Sequence, residues 1–323
     1  MRTAAALICV GLAAVACSPT VDRSRPQTSS SAAPSDVSAA SPTADPPPTS
    51  APRDPVAPAD FDTRTAMRTV RHLAGDIGPR EATGRGYAQA ARWVGRRLER
   101  LGYAVEHQPV AIPAGTSWGV PVGAGTSANV IARPPGLDPA QPHLVVGAHL
   151  DTVPQAPGAE DNASGVGVLV AVAGAAAAGR TRLPVVFVAF GAEEPRGPSD
   201  ADHHYGSRHY VAALRPRERT GVRGMVSLDR VGVGEVVPIG SAVEGQDVLA
   251  ARVAAAGRRV RVPVVREVNR SSDHWQFVQA GLPGVRLGST PYAAYHSADD
   301  VPSVVDPRQV DRVGRVVLAW LAP

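Results

Sequence analysis

Two fully apolar runs constrain the fold of this chain more than any other feature. They are "HLVVGAHL" at 143–150 and "LPVVFVAF" at 183–190, with the apolar, helix-like "SGVGVLVAVAGAAAAG" between them. A strand that is apolar on both sides is buried on both faces, as in a parallel sheet covered by helices. The pattern predicts a β–α–β unit within a three-layer α/β/α sandwich that has a mixed, mostly parallel central sheet.

Further helices and strands alternate on both sides of this unit. Helical spacing of apolar residues predicts helices over 62–75 and 83–102, and strands follow at 103–112 and 127–134. The later elements that we predict are helices over 205–215, 246–257, 271–281 and 307–321 and strands over 222–232, near 262 and over 284–289. In such a sheet, ligands bind at the carboxyl ends of the strands.

The first 60 residues differ in composition from the rest. Residues 1–17, "MRTAAALICVGLAAVAC", predict a signal peptide, since the apolar run is shorter than the roughly 20 residues that span a membrane. "AVAC" resembles the lipobox of bacterial lipoproteins, which makes Cys17 the predicted lipid acceptor. Residues 18–60 are rich in Ser, Pro and Ala and predict a disordered linker before a domain at 61–323. We therefore expect export, with contact to the membrane only through a lipid anchor at Cys17.

Cysteine content and charge exclude several classes of site. The only cysteines are Cys9 and Cys17, so the domain has neither a disulfide nor a thiolate zinc site. Any metal must be held by His, Asp or Glu. The net charge of +4 is small and no basic run with interleaved aromatic residues occurs, so we expect no nucleic-acid partner. We expect a monomer.

Polar residues that are costly to bury follow four of the predicted strands. Singly, each has an ordinary structural explanation; Asp161, for example, suits the start of the next helix. Together they predict a metal site, because an all-N/O set with several carboxylates suits two zinc ions about 3.5–4 Å apart that share a bridging carboxylate. His149 and Asp151 lie on one side of their strand, so Asp151 can orient the imidazole. The candidates are His149, Asp151, Asp161, Glu193, Glu194, Asp229 and His296.

Five motifs in this order resemble the bacterial di-zinc aminopeptidases of peptidase clan MH: "AHLDTV", "GAEDNASG", "FGAEEPRG", "SLDRVG" and "YHSADD". The resemblance implies a zinc exopeptidase fold with two Zn²⁺ ions. Asp161 would bridge both ions, His149 and Asp229 would complete one site, and Glu194 and His296 would complete the other. Glu193 would be the general base, Tyr295 would donate to the developing oxyanion, and Asp151 would orient His149.

The chain departs from the family pattern in three places. Glu160 replaces a frequent aspartate, and the domain lacks the disulfide that some relatives have near the last histidine. Extra polar residues follow the two glutamates, including His203 and His204, which we predict to lie in a solvated loop rather than in a third metal site. None of these departures removes a predicted ligand.

Charge favours a substrate with a free amine. Two zinc ions, three carboxylate ligands and a hydroxide sum to about zero, so an ionised Glu193 leaves a negative excess that suits an α-ammonium group. The predicted partners are therefore peptides with a free N-terminus. A substrate carboxylate would require an arginine, and the sequence places none of Arg230, Arg270 and Arg286 in the pocket.

Other functions remain open. "HLDTVP" also resembles the first motif of metallo-carboxypeptidases and amidohydrolases, and a glutaminyl-cyclase-like acyltransferase would use one zinc. A non-catalytic binding lipoprotein on the same scaffold is the alternative from another class. A serine hydrolase is disfavoured because no G-x-S-x-G motif occurs.

Overall fold

The computed structural model describes residues 53–323, which contain an eight-stranded sheet, a small hairpin and eight α-helices. The strands of the sheet are β1 (Ala104–Ile112), β4 (Gly125–Arg133), β5 (His143–His149), β6 (Val185–Phe190), β7 (Val222–Leu228), β8 (Val237–Ser241), β9 (Val264–Val268) and β10 (Gly284–Leu287). The hairpin is β2 (Gly115–Ser117) with β3 (Val120–Val122). The helices are α1 (Thr63–Val70), α2 (Arg85–Arg100), α3 (Gly165–Ala178), α4 (Tyr205–Ala213), α5 (Pro216–Gly221), α6 (Val248–Arg259), α7 (His274–Gln279) and α8 (Pro307–Leu321).

The strand order is β1-β4-β6-β5-β7-β10-β8-β9. The four central strands β6, β5, β7 and β10 are parallel to one another, and β8 pairs parallel with β9. The pairs β1–β4, β4–β6 and β10–β8 are antiparallel. The sheet is thus mixed and mostly parallel, which confirms the predicted class.

The core lies on both faces of this sheet. Alternate residues of β5 and β6 enter two apolar clusters, a large one with α1, α2, α3, α6 and α8 and a smaller one with α4 and α7. The helical stretch Ala159–Ala178 is apolar enough to span a membrane, but 78% of its most apolar window is buried inside the domain. It is therefore the central helix of the core.

The packed domain includes residues that precede Phe61. Val56 is buried, its N–H donates to the Arg180 carbonyl, and Arg180 N–H donates to the Asp54 carbonyl. Residues 53–60, which the sequence assigned to the linker, therefore pack against the domain. The apolar side chain of Val56 is buried in the large core cluster. The predicted signal peptide, Cys17 and linker residues 18–52 lie outside the described residues.

Strand β8 and the β2–β3 hairpin are absent from the sequence-based prediction. β8 is five residues long and contains Pro238, which argues against a strand inside a sheet. It is nevertheless covered on both edges, by β10 and by β9. The strand therefore depends on pairing with β10 and β9, and its own five residues are too few to predict it from sequence.

Candidate metal centre

The predicted metal ligands converge because their strands are neighbours. Strands β6, β5, β7 and β10 lie side by side and run parallel, so their carboxyl ends share one edge of the sheet. His149 ends β5, the two glutamates follow β6, Asp229 follows β7, and His296 lies in the loop after β10. This topology brings residues that are up to 147 positions apart in the chain into one cluster.

Asp161 lies at the centre of this cluster. Its Oδ1 is 3.1 Å from His149 Nε2, and its Oδ2 is 3.1 Å from His296 Nε2. His149 Nε2 is 3.6 Å from Asp229 Oδ1, and His296 Nε2 is 3.4 Å from Glu194 Oε1. The five side chains form the order Asp229–His149–Asp161–His296–Glu194, with one Asp161 oxygen on each side. A carboxylate that bridges two ions requires this arrangement.

The donor set fits divalent cations. Ligand atoms of His149, Asp161 and Glu194 lie within 4.8 Å of one another, and those of His149, Glu193 and Asp229 do so as well. All are buried, and Glu194 Oε1 has no hydrogen-bond partner. A buried carboxylate oxygen without a partner is costly unless it is neutralised or binds a metal. Nitrogen and carboxylate donors without thiolates suit zinc.

The electrostatics of the cluster also favour cations. Burial alone would raise the pKa of Asp161, but the hydrogen bonds and charges of His149 and His296 hold that pKa well below its usual range. Burial would lower the pKa of His296, but Glu194 and Asp161 raise it to about 10. Burial raises the pKa of Glu194 to about 8. These pKa shifts favour protons on the side chains when no metal is bound, and a bound metal ion would displace those protons.

Arg286 is a neighbour of the site that sequence reasoning did not place there. Its guanidinium is buried, with Nη2 3.1 Å from Asp229 Oδ1. Burial would raise the pKa of Asp229, but Arg286 and His149 hold it below its usual range. Arg286 also donates to the Ser271 carbonyl at 2.8 Å, which fixes the guanidinium against Asp229.

The Asp151 carboxylate lies closer to the backbone amides of the two glutamates than to the His149 ring. Its Oδ1 accepts from the Glu193 N–H at 3.0 Å, and its Oδ2 accepts from the Glu194 N–H at 3.1 Å. His149 Nδ1 is 3.7 Å from Asp151 Oδ1 and 3.3 Å from the Asp151 carbonyl oxygen. The predicted orientation of His149 thus involves the Asp151 backbone as well as its carboxylate.

Glu193 contacts a histidine that the sequence assigned to a solvated loop. His204 is buried, and its Nε2 lies 3.0 Å from Glu193 Oε1. Burial would lower the pKa of His204, but the negative charge of Glu193 and their hydrogen bond raise it above its ordinary value. The expectation of a solvated loop is therefore wrong for His204. His203 is half-buried and lines the cleft described below.

Two residues outside the predicted set fix the loop that carries Asp161. The Asp300 carboxylate accepts from the N–H groups of Glu160 and Asp161 at 2.8 and 3.1 Å. The buried Arg80 guanidinium donates to five carbonyl oxygens, three of them in the loop between β5 and Asp161. Those five are Leu73, Gly78, Leu150, Pro157 and Gly158, at 2.6–3.0 Å.

Glu160, which departs from the family pattern, is a structural link between two ligand loops. Its buried carboxylate accepts from the N–H groups of Gly232 and Val233 at 2.8–3.1 Å. These amides follow Asp229, and Glu160 itself precedes Asp161. Burial raises the pKa of Glu160 well above its usual range.

A cleft of about 330 Å³ opens onto Glu193, Glu194 and His296. Trp118, at the tip of the β2–β3 hairpin, packs edge-on against the His296 ring at 4.3 Å. Tyr295 stacks on His296 at 3.7 Å, so the predicted oxyanion donor lies at the cleft wall. Arg270 and Trp275 line the same cleft, and their side chains stack at 5.3 Å.

A comparison with protein-family models identifies the group to which this arrangement belongs. Residues 129–321, more than half of the chain, match the model described as peptidase family M28. The chain belongs to peptidase family M28. This confirms, at the level of the family, the resemblance on which the sequence-based roles depend.

Known proteins agree with this assignment. Over 108 residues the chain is 36% identical to aminopeptidase YwaD of Bacillus subtilis, a match that covers 33% of this chain and 22% of that protein. The fold is similar to BSAP, a zinc aminopeptidase from Bacillus subtilis (TM-score 0.72, 18% identity, 80% and 94% of the two chains). It is also similar to a Porphyromonas gingivalis glutaminyl cyclase (TM-score 0.70, 21% identity, 81% and 98%). The matches cover half or less of the curated relatives' own lengths.

Proposed function

We propose that this protein is a zinc-dependent aminopeptidase that removes N-terminal residues from peptides. The observation that carries the proposal is the position of Asp161, which presents one carboxylate oxygen to each of two imidazoles, with Glu193 beside them. We propose two Zn²⁺ ions, the first held by His149, Asp161 and Asp229 and the second by Asp161, Glu194 and His296. Bound zinc would lower the pKa of water and polarise the scissile carbonyl.

The protein groups have separate tasks in this proposal. Glu193 takes a proton from the attacking water and gives it to the leaving amine as the C–N bond breaks. Asp151 holds the backbones of Glu193 and Glu194, so that adjacent side chains serve as base and ligand. Arg286 keeps Asp229 ionised, which suits a metal ligand. Tyr295 donates to the developing oxyanion from the cleft wall.

The test is a panel of aminoacyl substrates, each with a free or an acetylated N-terminus, assayed with a chelator and after zinc is restored. We expect turnover of the free-amine substrates only, loss with the chelator and recovery with zinc. Turnover confined to acetylated substrates would reject the aminopeptidase. Absence of turnover with zinc bound would favour a binding protein, and cyclisation of N-terminal glutamine would favour the acyltransferase.

Glu193→Gln tests the assignment of the base. The variant should bind zinc as the wild type does, while kcat falls by about 10²–10⁴, the usual contribution of general base catalysis. Metal analysis of the purified variant is the control. A variant that keeps most of its kcat would remove Glu193 from this role.

The position of Arg270 supports a second candidate function. It lines the cleft beside Glu193, and a guanidinium binds carboxylates through paired hydrogen bonds. The second candidate is therefore a carboxypeptidase that binds the C-terminal carboxylate of its substrate at Arg270. Short peptides with free or amidated C-termini separate the two functions. If Arg270→Ala reduces kcat/KM only for the free carboxylates, the carboxypeptidase is favoured.

We also propose that the protein is exported and anchored by a lipid at Cys17. The support is the composition of residues 1–17, followed by the Ser/Pro/Ala-rich segment. Cys17→Ser should move the protein from the membrane fraction to the soluble fraction. An unchanged distribution would reject the anchor.

A further inference from the structure

The side chain of His204 forms an ion pair with the proposed general base, Glu193. Its Nε2 is 3.0 Å from Glu193 Oε1, and both side chains are buried. Among the described residues 53–323, this is the only ion pair within 4.0 Å that involves either side chain. The contact therefore occupies one oxygen of Glu193 and leaves the other available.

The backbone holds His204 at this position. Its N–H donates to the Glu193 carbonyl at 2.9 Å, and the Tyr205 N–H donates to the Ala192 carbonyl at 2.8 Å. Ala192 and His204 both have left-handed backbone conformations, with φ of 55° and 56°. Such angles are uncommon for residues with a side chain and persist where surrounding contacts fix them. The segment at 204–205 is thus paired with the segment that carries the glutamates.

The loop between these paired segments is also anchored. The Arg196 N–H donates to the Asp202 carbonyl at 2.8 Å, and the Arg196 guanidinium pairs with Glu81. The Arg196 carbonyl accepts from Thr116 N–H in the β2–β3 hairpin at 3.0 Å. The extra polar residues after the glutamates therefore form a fixed turn that returns the chain to Glu193.

We propose that His204 is a positioning residue for Glu193. The inference rests on the proposed role of Glu193 as the base. His204 donates its Nε2–H to Oε1, which sets the side-chain rotamer and directs Oε2 toward the proton that it accepts. A base is effective only when it lies within hydrogen-bond reach of that proton, so loss of the contact reduces turnover more than substrate binding.

Kinetics on the best free-amine substrate test this role. His204→Ala should lower kcat about tenfold at an unchanged KM and zinc content, because Glu193 then samples other rotamers. His204→Gln, which keeps a side-chain N–H donor, should recover part of that loss. His209→Gln is the matched control, since His209 is exposed on helix α4, which begins directly after His204. Equal losses in the Ala and Gln variants, or a normal kcat in His204→Ala, would overturn the proposal.

A double-variant cycle separates positioning from a merely structural role. In the Glu193→Gln background, His204→Ala should cause no further loss of kcat, because the group that it positions has already been removed. A further loss of about tenfold would mean that His204 acts on the fold or on another group, and would overturn the proposal.

An NMR measurement tests the contact without turnover. In protein labelled with ¹⁵N-histidine, the Nε2 signal that disappears in His204→Gln belongs to His204. We expect this nitrogen to carry a proton and its signal to shift in Glu193→Ala, while the His209 signals stay unchanged. An unshifted signal would overturn the contact. Absence of turnover in the wild type would reject the proposed function alone, since this measurement would still report the contact.

Discussion

At the scale of single residues, Asp151 is a buried carboxylate that contacts three neighbouring groups. Its two oxygens accept from the backbone amides of Glu193 and Glu194, and His149 lies beside it. Each amide would be left without a partner if Asp151 were lost. A buried donor without a partner costs about 1–3 kcal/mol. Asp151 therefore supports both the fold of the glutamate turn and the chemistry proposed for it.

Replacement of Asp151 by Asn should reduce both stability and zinc affinity. The amide keeps one accepting oxygen, so one of the two N–H groups faces an NH₂ group and the free energy of unfolding falls by about 1–3 kcal/mol. Zinc affinity should fall about 10–100-fold, as for other residues that orient ligands. Urea unfolding and chelator competition measure the two effects.

Asp138→Asn is the control for this change. Asp138 also accepts one backbone N–H, from Ala140 at 2.9 Å, but in an exposed turn. Its replacement should leave both quantities unchanged within about 0.5 kcal/mol. If Asp151→Asn behaves like Asp138→Asn, the carboxylate does not hold the glutamates as described.

At the scale of elements, the sequence predicted the helices and strands that have a periodic or uniformly apolar pattern. It missed the features that depend on contacts between residues far apart in the chain. The apolar runs gave β5, α3 and β6, and the strand ends gave the residues that cluster around Asp161. Nothing local distinguishes His204 from His203, since burial of His204 depends on pairing with Glu193. Arg80, Asp300 and Arg286 were missed for the same reason: their partners lie far away in the chain.

Arg80 shows how one such residue fixes an element. It binds carbonyl oxygens at both ends of the loop between β5 and Asp161, at Leu150 and at Gly158. Gly158 has φ of 66°, and a Cβ at this position would lie against the side chain of Thr152 and the Asp161 carbonyl. The loop therefore has little freedom, and it separates two of the predicted ligands.

Arg80→Lys should loosen this loop. An ammonium group has three donors at one point, so at least two of the five carbonyls lose their partner and the free energy of unfolding falls by at least about 2 kcal/mol. Zinc affinity should fall about tenfold, because the loop no longer fixes His149 relative to Asp161. Arg85→Lys, at an exposed position of α2, is the control for both measurements. Unchanged zinc affinity in Arg80→Lys would separate this loop from the metal centre.

At the scale of the whole molecule, the candidate site joins the ends of four central strands. The side chains that end β5 or follow β6, β7 and β10 meet around Asp161, and the three carboxylates among the predicted ligands lie close together there. Cations bound at this point would link elements across most of the sheet. Because the unfolded chain cannot gather these donors, binding stabilises the folded state alone.

Zinc should therefore raise the thermal stability of the entire domain. At free zinc about 100-fold above Kd, binding adds about 2.7 kcal/mol, which corresponds to a rise in Tm of about 5–10 °C for a domain of this size. Calorimetry of the chelated and the zinc-loaded protein measures the difference. In His149→Ala the rise should shrink strongly, because His149 belongs to both groups of converging ligand atoms. A Tm that zinc leaves unchanged in the wild type would contradict a site that holds the four strand ends together.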